Sequence, residues 1–402
     1  MIKAAVMGHG TVGSGVYEVI EMNAKKIAAS LGEALEVKYV LDLRDFSHLP
    51  YGDKFITDFT LIENDPDISV VAEVMGGVGA AYEFTKRCLA AGKSVCTSNK
   101  ELVATHGEEL LAIAKEHNAG YMFEASVGGG IPLIRPMLQC LAANEFNQIC
   151  GILNGTTNYI LTQMIESGVS FEDALAAAQA KGYAEKDPTA DIEGHDACRK
   201  ICILSDLAFG DKFDPDEVEC EGITKITLED VACADKLGRV IKLIGRAVRC
   251  EDGTAYAYVA PHLVDKSSPL APVEGVFNAV MIDGNATGEV MFYGKGAGKL
   301  ATASAVVADM MDCAFHKDRR RQIFWGDGSK RLLRPLDTLE SQWYVRFDGA
   351  QADLEAALPA DSVSAFGGAL VAVTRKASTA DMKKRLAALG EKGKVLAAMR
   401  LL

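Results

Sequence analysis

The chain opens with an apolar run from Ile2 to Gly8, a glycine-rich turn, HGTVGSG, and a segment from Val16 to Gly32 whose apolar residues recur at helical spacing. That pattern predicts a strand, a turn and an amphipathic helix. VKYVLDL and SVVAEVMGG follow as strands, YEFTKRCLAAG as a helix, and KSVCTSN as the next strand. Strands alternating with helices imply right-handed crossovers and a parallel sheet, with ligands at the carboxyl ends of the strands. A doubly wound α/β domain is therefore expected over residues 1–130.

The stretch Gly128 to Pro132, GGGIP, interrupts the alternation. After it, IRPMLQCLAA reads as a helix and QICGILNG as a new strand, so a second, α+β domain is expected over 131–301. Inside it the pattern predicts a long helix from Asn158 to Lys181, the polar loop GYAEKDPTADIEG, and a helix from His195 to about Phe209. From Tyr256 the chain reads as strands with glycine turns as far as GEVMFYGKGAGK. ATASAVVADMMDCAF is helical and is expected to complete the first domain, at about 302–325. Beyond Arg334 and Pro335, QWYVRF, ALVAV and KVLAAMRLL read as strands around helix-like AQADLEAAL and TADMKKRLAAL. These suffice for a small α+β module over 336–402.

Composition narrows the function. The 402 residues include 55 acids and 42 bases, a formal charge of −13, which argues against a nucleic-acid partner because phosphates need a basic face. Small anions bound locally remain possible. No apolar run reaches the roughly 18–20 residues of a membrane span, and no signal-peptide core follows Met1. The ten cysteines form no C-x-x-C pair, so a cytoplasmic protein with reduced thiols and no membrane partner is expected.

Gly8, Gly10 and Gly13 form G-x-G-x-x-G between a strand and a helix. In that setting the glycines permit the turn, the close approach of a pyrophosphate and tight helix–strand packing, while the helix amino terminus offers free N–H groups. An acid is expected about twenty residues further on, to accept from a ribose diol. Asp42 comes later because the intervening helix and loop are long, and Arg44 beside it suits the extra phosphate of NADP, so NAD and NADP both stay open. Lys100 ends TSNK after a strand, where its ammonium would enter the ligand cleft; a solvated surface lysine is the commoner outcome of such a pattern.

The segment Gly182 to Lys200 is the richest in chemistry. Asp196 and Lys200 share one helix face and can pair, with Glu185 and Asp191 in the loop before them. Carboxylates and a lysine at such a junction suit recognition of an amino acid's ammonium together with proton transfer, or else form an ordinary surface pair. Cys198 and Cys202 read as core packing, Cys96 and Cys150 lack an activating base, and His195 has no second histidine at ligand spacing.

Together MGHGTVGSGV, EVMGG, TSNKELV, FEASVGGGIPLI, GILNGTTNYIL and the Gly182–Lys200 segment resemble homoserine dehydrogenases in order and spacing, over roughly residues 1–325. The resemblance implies reversible reduction of L-aspartate 4-semialdehyde to L-homoserine with NADP or NAD, in threonine, methionine and isoleucine synthesis. It makes Lys200 the proton donor, places Lys100 near cofactor and substrate carbonyl, and assigns Glu185 and Asp196 to substrate with Asp191 beside them. It lines the cofactor cleft with Gly8, Gly10, Thr11, Val12, Gly13, Asp42, Arg44, Gly76, Gly77, Ser98, Lys100, Gly182, Glu185 and Gly296. It implies a sodium-like monovalent cation at Glu124, Val127, Gly129 and Ile131, which fits a hard cation held by backbone carbonyls plus one carboxylate. It also implies that the catalytic domain dimerises, giving a homodimer or higher oligomer.

On the same basis residues 336–402 stand where many members carry a regulatory ACT domain. QWYVRF resembles its first strand, but DGAQAD replaces the usual proline-glycine turn and the module is short, so the tail is expected to be a degenerate ACT-like one. No aspartokinase is expected before residue 1. Two other readings remain: a catalytically silent dinucleotide sensor, and a dehydrogenase for another amino-acid semialdehyde. The residues alone also leave open whether Lys200 gives a proton, its pKa lowered by desolvation or by Lys100, or is held charged by Asp196 as an electrostatic stabiliser.

Overall fold

The computed structural model describes residues 1–316, 323 and 325–402. Its strands, in chain order, are β1 (Ile2–Met7), β2 (Leu35–Leu41), β3 (Phe55–Ile56), β4 (Ile68–Glu73), β5 (Ser94–Thr97), β6 (Tyr121–Met122), β7 (Phe146–Ile152), β8 (Glu219–Cys220), β9 (Arg239–Arg249), β10 (Ala255–Asp265), β11 (Phe277–Gly284), β12 (Gly288–Lys295), β13 (Glu340–Ser341), β14 (Trp343–Asp348), β15 (Ala360–Phe366), β16 (Ala369–Thr374), β17 (Ala377–Ser378) and β18 (Lys394–Leu401). The helices are α1 (Thr11–Met22), α2 (Ala24–Leu31), α3 (Thr60–Glu63), α4 (Gly79–Ala90), α5 (Lys100–Glu116), α6 (Ile134–Gln139), α7 (Gly155–Ser167), α8 (Phe171–Ala180), α9 (Thr189–Ile192), α10 (His195–Phe209), α11 (Leu228–Lys236), α12 (Lys299–Phe315), α13 (Gln351–Ala357) and α14 (Thr379–Gly390). No helix among the described residues is long and apolar enough to cross a membrane.

The fold is α/β, and the chain packs as two compact units. The first, Met1–Glu145 with Cys202–Asp214 and Phe292–Lys330, carries a six-stranded parallel sheet in the order β3-β2-β1-β4-β5-β6. Its order reverses between β1 and β4, the switch point where doubly wound sheets bind dinucleotides. The central strands are buried on both faces, which is why β1 and β4 read as near-continuous apolar runs. α12 packs on α1, β4 and β5. Of the 302–325 span expected for it, residues 317–322 and 324 lie outside the described residues.

The second unit, Phe146–Ile201 with Pro215–Met291 and Arg331–Leu402, is built on a mixed sheet in the order β12-β11-β7-β9-β10-β18-β14-β16-β15, with β8 on β10. Its tail is a βαββαβ module, β14-α13-β15-β16-α14-β18, yet it does not stand apart as the small third module the sequence suggested. β18 pairs in parallel with β10, His262 opposite Arg400, so the tail strands continue the sheet of this unit. A buried ion pair reinforces the junction: Arg346 Nε donates to Asp230 Oδ1 at 2.8 Å, and the Tyr344 hydroxyl donates to the same oxygen at 3.0 Å. The first division of the chain also falls after Glu145 rather than at residue 130.

Local chemistry explains three further departures. The helix expected over Val16–Gly32 begins at Thr11 and breaks at Asn23 into α1 and α2. The helix expected over Asn158–Lys181 is two helices, because Gly168 at φ 61° caps the end of α7 and Ser170 accepts the Asp173 N–H to start α8. β9 and α11 were not predicted at all. The helix starts with a capping box, Thr227 with Asp230, and β9 pairs antiparallel with β10 along its whole length.

Candidate active site

In the first unit the glycines of the β1–α1 turn have distinct jobs. Gly8 sits at φ 97°, and a Cβ there would lie 2.9 Å from the Met75 Cα. A Cβ on Gly13 would lie 1.9 Å from the Gly8 carbonyl oxygen, so only glycine lets α1 meet β1 this closely. Gly10 has open space beside it and caps α1 without a side-chain hydrogen bond. The N–H groups around exposed Thr11 and half-buried Val12 are thus left to an anion.

At the end of β2 the two residues proposed to choose the cofactor hold each other. Asp42 accepts from the His9 backbone N–H at 2.7 Å, from the Arg44 backbone N–H at 3.0 Å, and from Arg44 Nε and Nη2 at 2.9 and 2.7 Å. The Arg44 guanidinium holds the Asp42 carboxyl well below the usual carboxylate range. With both oxygens doubly engaged, Asp42 is saturated.

Gly76 and Gly77, at φ 83° and 68°, form an exposed loop with open space on the Cβ side of each. Asn99 donates from Nδ2 to the Gly77 carbonyl at 2.6 Å, and its Oδ1 accepts the Leu102 N–H at 3.1 Å, capping α5. Half-buried Lys100 is the first residue of that helix, with Ser98 just before the cap. Gly296 is buried against Gly129, where a Cβ would lie 2.4 Å from the Gly296 carbonyl oxygen.

In the turn expected to hold a cation, the Glu124 carboxylate accepts the backbone N–H groups of Leu133 and Ile134 on one oxygen and of Arg135 on the other, at 2.5, 2.8 and 2.7 Å, and so caps α6. The backbone of Glu124, Val127, Gly129 and Ile131 winds through a tight turn, with Gly128 and Gly129 at φ 77° and 56°. No cluster of three or more His, Cys, Asp or Glu residues suited to a metal exists among the described residues.

In the second unit one asparagine assembles the acidic segment. Asn154 caps α7, its Oδ1 accepting the Thr157 N–H at 2.8 Å, while its Nδ2 donates to Asp191 Oδ1 at 2.7 Å and Asp196 Oδ2 at 2.9 Å. Lys200 Nζ donates to the same Asp196 oxygen at 2.6 Å and to the Leu153 carbonyl at 2.8 Å. The pair is buried, with side-chain exposures of 10% for Lys200 and 7% for Asp196. Two of the three ammonium N–H bonds are thereby fixed, which aims the third. Asn154 was missed from the sequence; the only hint was a cap residue at the mouth of GILNGTTNYIL.

Gly182, at φ 73°, and Glu185 stay exposed on the loop after α8. That loop is pinned by the Thr156 hydroxyl on the Tyr183 carbonyl at 2.7 Å and by Gln179 Nε2 on the Glu185 carbonyl at 3.0 Å. The structure thus joins Asp191 to Asp196 through Asn154 and Asp196 to Lys200 directly, whereas Glu185 is tied by its backbone carbonyl to Gln179. Cys198 and Cys202 are buried as core residues, and burial pushes the Cys150 thiol up to about 12, far from a nucleophile.

The model of the homoserine dehydrogenase NAD binding domain matches residues 8–124, and that of homoserine dehydrogenase matches residues 132–311. A homoserine dehydrogenase of Pseudomonas aeruginosa is 42% identical over 353 residues, 86% of this chain and 81% of the relative, and one of Bacillus subtilis gives the same figures. Among solved structures, a homoserine dehydrogenase from Thiobacillus denitrificans superposes with a TM-score of 0.93 at 34% identity, covering 100% of this chain and 98% of that one. A hyperthermophilic archaeal homoserine dehydrogenase mutant in complex with NADPH gives 0.66 at 29% identity, covering 78% of this chain and 97% of that one.

Proposed function

This chain belongs to the homoserine dehydrogenase family and is an NAD(P)-dependent oxidoreductase of amino-acid biosynthesis, and we propose that Lys200 is its proton-transfer group. The reaction interconverts L-aspartate 4-semialdehyde and L-homoserine. The dinucleotide, when bound, supplies or accepts the hydride; the protein must orient the carbonyl and manage one proton on its oxygen. Lys200 gives that proton in the reducing direction and takes it back in the other. The observation that carries this reading is the buried chain Asp191–Asn154–Asp196–Lys200, which leaves one N–H of a fixed ammonium to meet an oxygen. Asp196 positions Lys200, and Asp191 with Glu185 offers acid to the substrate's α-ammonium. Lys100, at the head of α5, is the second cation of the mechanism.

For the cofactor, the first unit offers the Gly8–Gly13 turn, the Gly76–Gly77 loop, Ser98 and Gly296. The saturated Asp42 is a poor acceptor for a ribose diol, whereas exposed Arg44 can turn its guanidinium to a phosphate, so NADP is the favoured partner. The NADPH carried by the archaeal relative agrees with this choice. The carbonyl oxygens of Glu124, Val127, Gly129 and Ile131 fit a monovalent cation in chemistry; replacing sodium and potassium by tetramethylammonium should lower activity. A homodimer is supported by exposed Met291 and Tyr293 on β12, at the edge of its sheet, and light scattering tests it. A cytoplasmic location suits the ten free thiols.

The deciding experiment is homoserine-dependent reduction of NADP and of NAD by the purified protein, with semialdehyde reduction as the reverse check. Turnover favouring NADP is expected. Dinucleotide binding without turnover would return the silent sensor.

A further inference from the structure

We propose that Glu73 is a positioning residue for the dinucleotide, tying the Gly76–Gly77 loop to the start of α5 from beneath. The proposal rests on the reading of the first unit as the cofactor site. Glu73 is the last residue of β4, next to the switch point at β1, and is wholly buried. A carboxylate is costly in such a place unless donors meet its oxygens. Here the donors come from both loops. The Met75 N–H reaches Oε1 at 2.9 Å and the Thr97 hydroxyl reaches Oε2 at 2.6 Å. The nearby Gly76 N–H and Asn99 side chain draw its pKa down against the upward push of burial, which dominates.

The Thr97 hydroxyl works in both directions: it donates to Glu73 and accepts the Asn99 backbone N–H at 2.9 Å. Asn99 then reaches back to the Gly77 carbonyl and forward to cap the helix that Lys100 opens. One acid thus takes a donor from each loop, Met75 and Thr97, and through the Thr97–Asn99 and Asn99–Gly77 bonds ties the glycine loop to the base of Lys100. An apolar side chain of the same volume would fill the space but leave these converging donors unpaired. Glu73 acts through these loops and does not itself touch the reacting atoms.

Glu73→Gln keeps the volume and replaces one acceptor by a donor: the amide oxygen can keep the Met75 N–H, while the amide nitrogen faces the Thr97 hydroxyl, whose hydrogen loses its acceptor. The dinucleotide KM of the full-length enzyme should rise at least about fivefold, while the homoserine KM moves less than about twofold and the melting temperature shifts little. Thr97→Val removes only the hydroxyl and should raise the same KM by less. Because both variants act on one hydrogen bond, their effects should fall short of additive in the double variant. An unchanged dinucleotide KM in Glu73→Gln, or equal rises in both KM values, would overturn the proposal. If Glu73→Gln fails to fold, Thr97→Val decides: no selective rise in the dinucleotide KM sinks it. Failure of the underlying reading looks different, since wild-type protein would then show no binding when titrated with NADPH.

Discussion

Each unit contains an aspartate paired with a nearby cation, and the two cations are set in opposite surroundings. Asp42 and Asp196 are both nearly sealed, at 9% and 7% side-chain exposure, but Arg44 is 62% exposed whereas Lys200, one helical turn from Asp196, is 10% exposed. Water reaches the Arg44 guanidinium, and its long side chain can change partners at little cost. The second pair cannot separate without stranding a charge in the interior. The exposed guanidinium can therefore exchange ligands, whereas the buried pair holds the Lys200 nitrogen in one place and aims it. The same residue types at similar spacing do different chemistry because of burial.

The comparison can be broken most severely from the buried side. Lys200→Ala should lower kcat by about 10²–10⁴-fold, with NADPH binding kept within about threefold by fluorescence titration. Asp196→Asn should come next. It keeps the shape but leaves Lys200 without its counter-charge, and removing one partner of a buried pair costs on the order of 3 kcal/mol. Both kcat and the urea midpoint should fall. In the exposed pair the effects should be smaller and of another kind. Arg44→Ala should raise the NADP KM roughly tenfold, lower the NAD KM because it frees Asp42 for a ribose diol, and leave kcat nearly unchanged.

The exposed pair also carries the smallest effect, which depends on pH. Asp42 is depressed below its ordinary value of 3.8, chiefly by the Arg44 hydrogen bond, so its contribution to stability is present above that pH. It is lost as pH falls toward the depressed value. The small melting-temperature gap between wild type and Arg44→Ala should therefore hold at neutral pH and close in acid. A gap that widens in acid would mean that Asp42 is not stabilised by Arg44.

What was legible in the sequence follows from distance along the chain. The β1–α1 glycines and the Asp196–Lys200 pair are local, and helical or turn spacing alone brings them together. Asn154 lies 37 residues from Asp191 and 42 from Asp196, and no periodicity reports such a contact. That the Glu124 carboxylate also caps a helix was not legible, because its three N–H partners lie nine to eleven residues on. Arg44 and Asp42 were both noted, but only geometry shows that they neutralise each other. β9 was missed because its basic residues hide a buried strand, in which Lys242 is interior and satisfied by the Val273 carbonyl at 2.5 Å. The tail was legible as an α+β unit, whereas its fusion to β10 depends on long-range strand pairing.

The central claim is that Lys200 transfers a proton and does more than supply charge. Its most direct test is kcat for homoserine oxidation by Lys200→Arg, alongside Lys200→Ala and wild type. Arginine keeps the positive charge beside Asp196 but does not give up a proton, its pKa lying above about 12. The account predicts that Lys200→Arg stays within about threefold of the alanine variant while binding dinucleotide normally. Turnover restored close to wild type by arginine would contradict it and make Lys200 an electrostatic stabiliser.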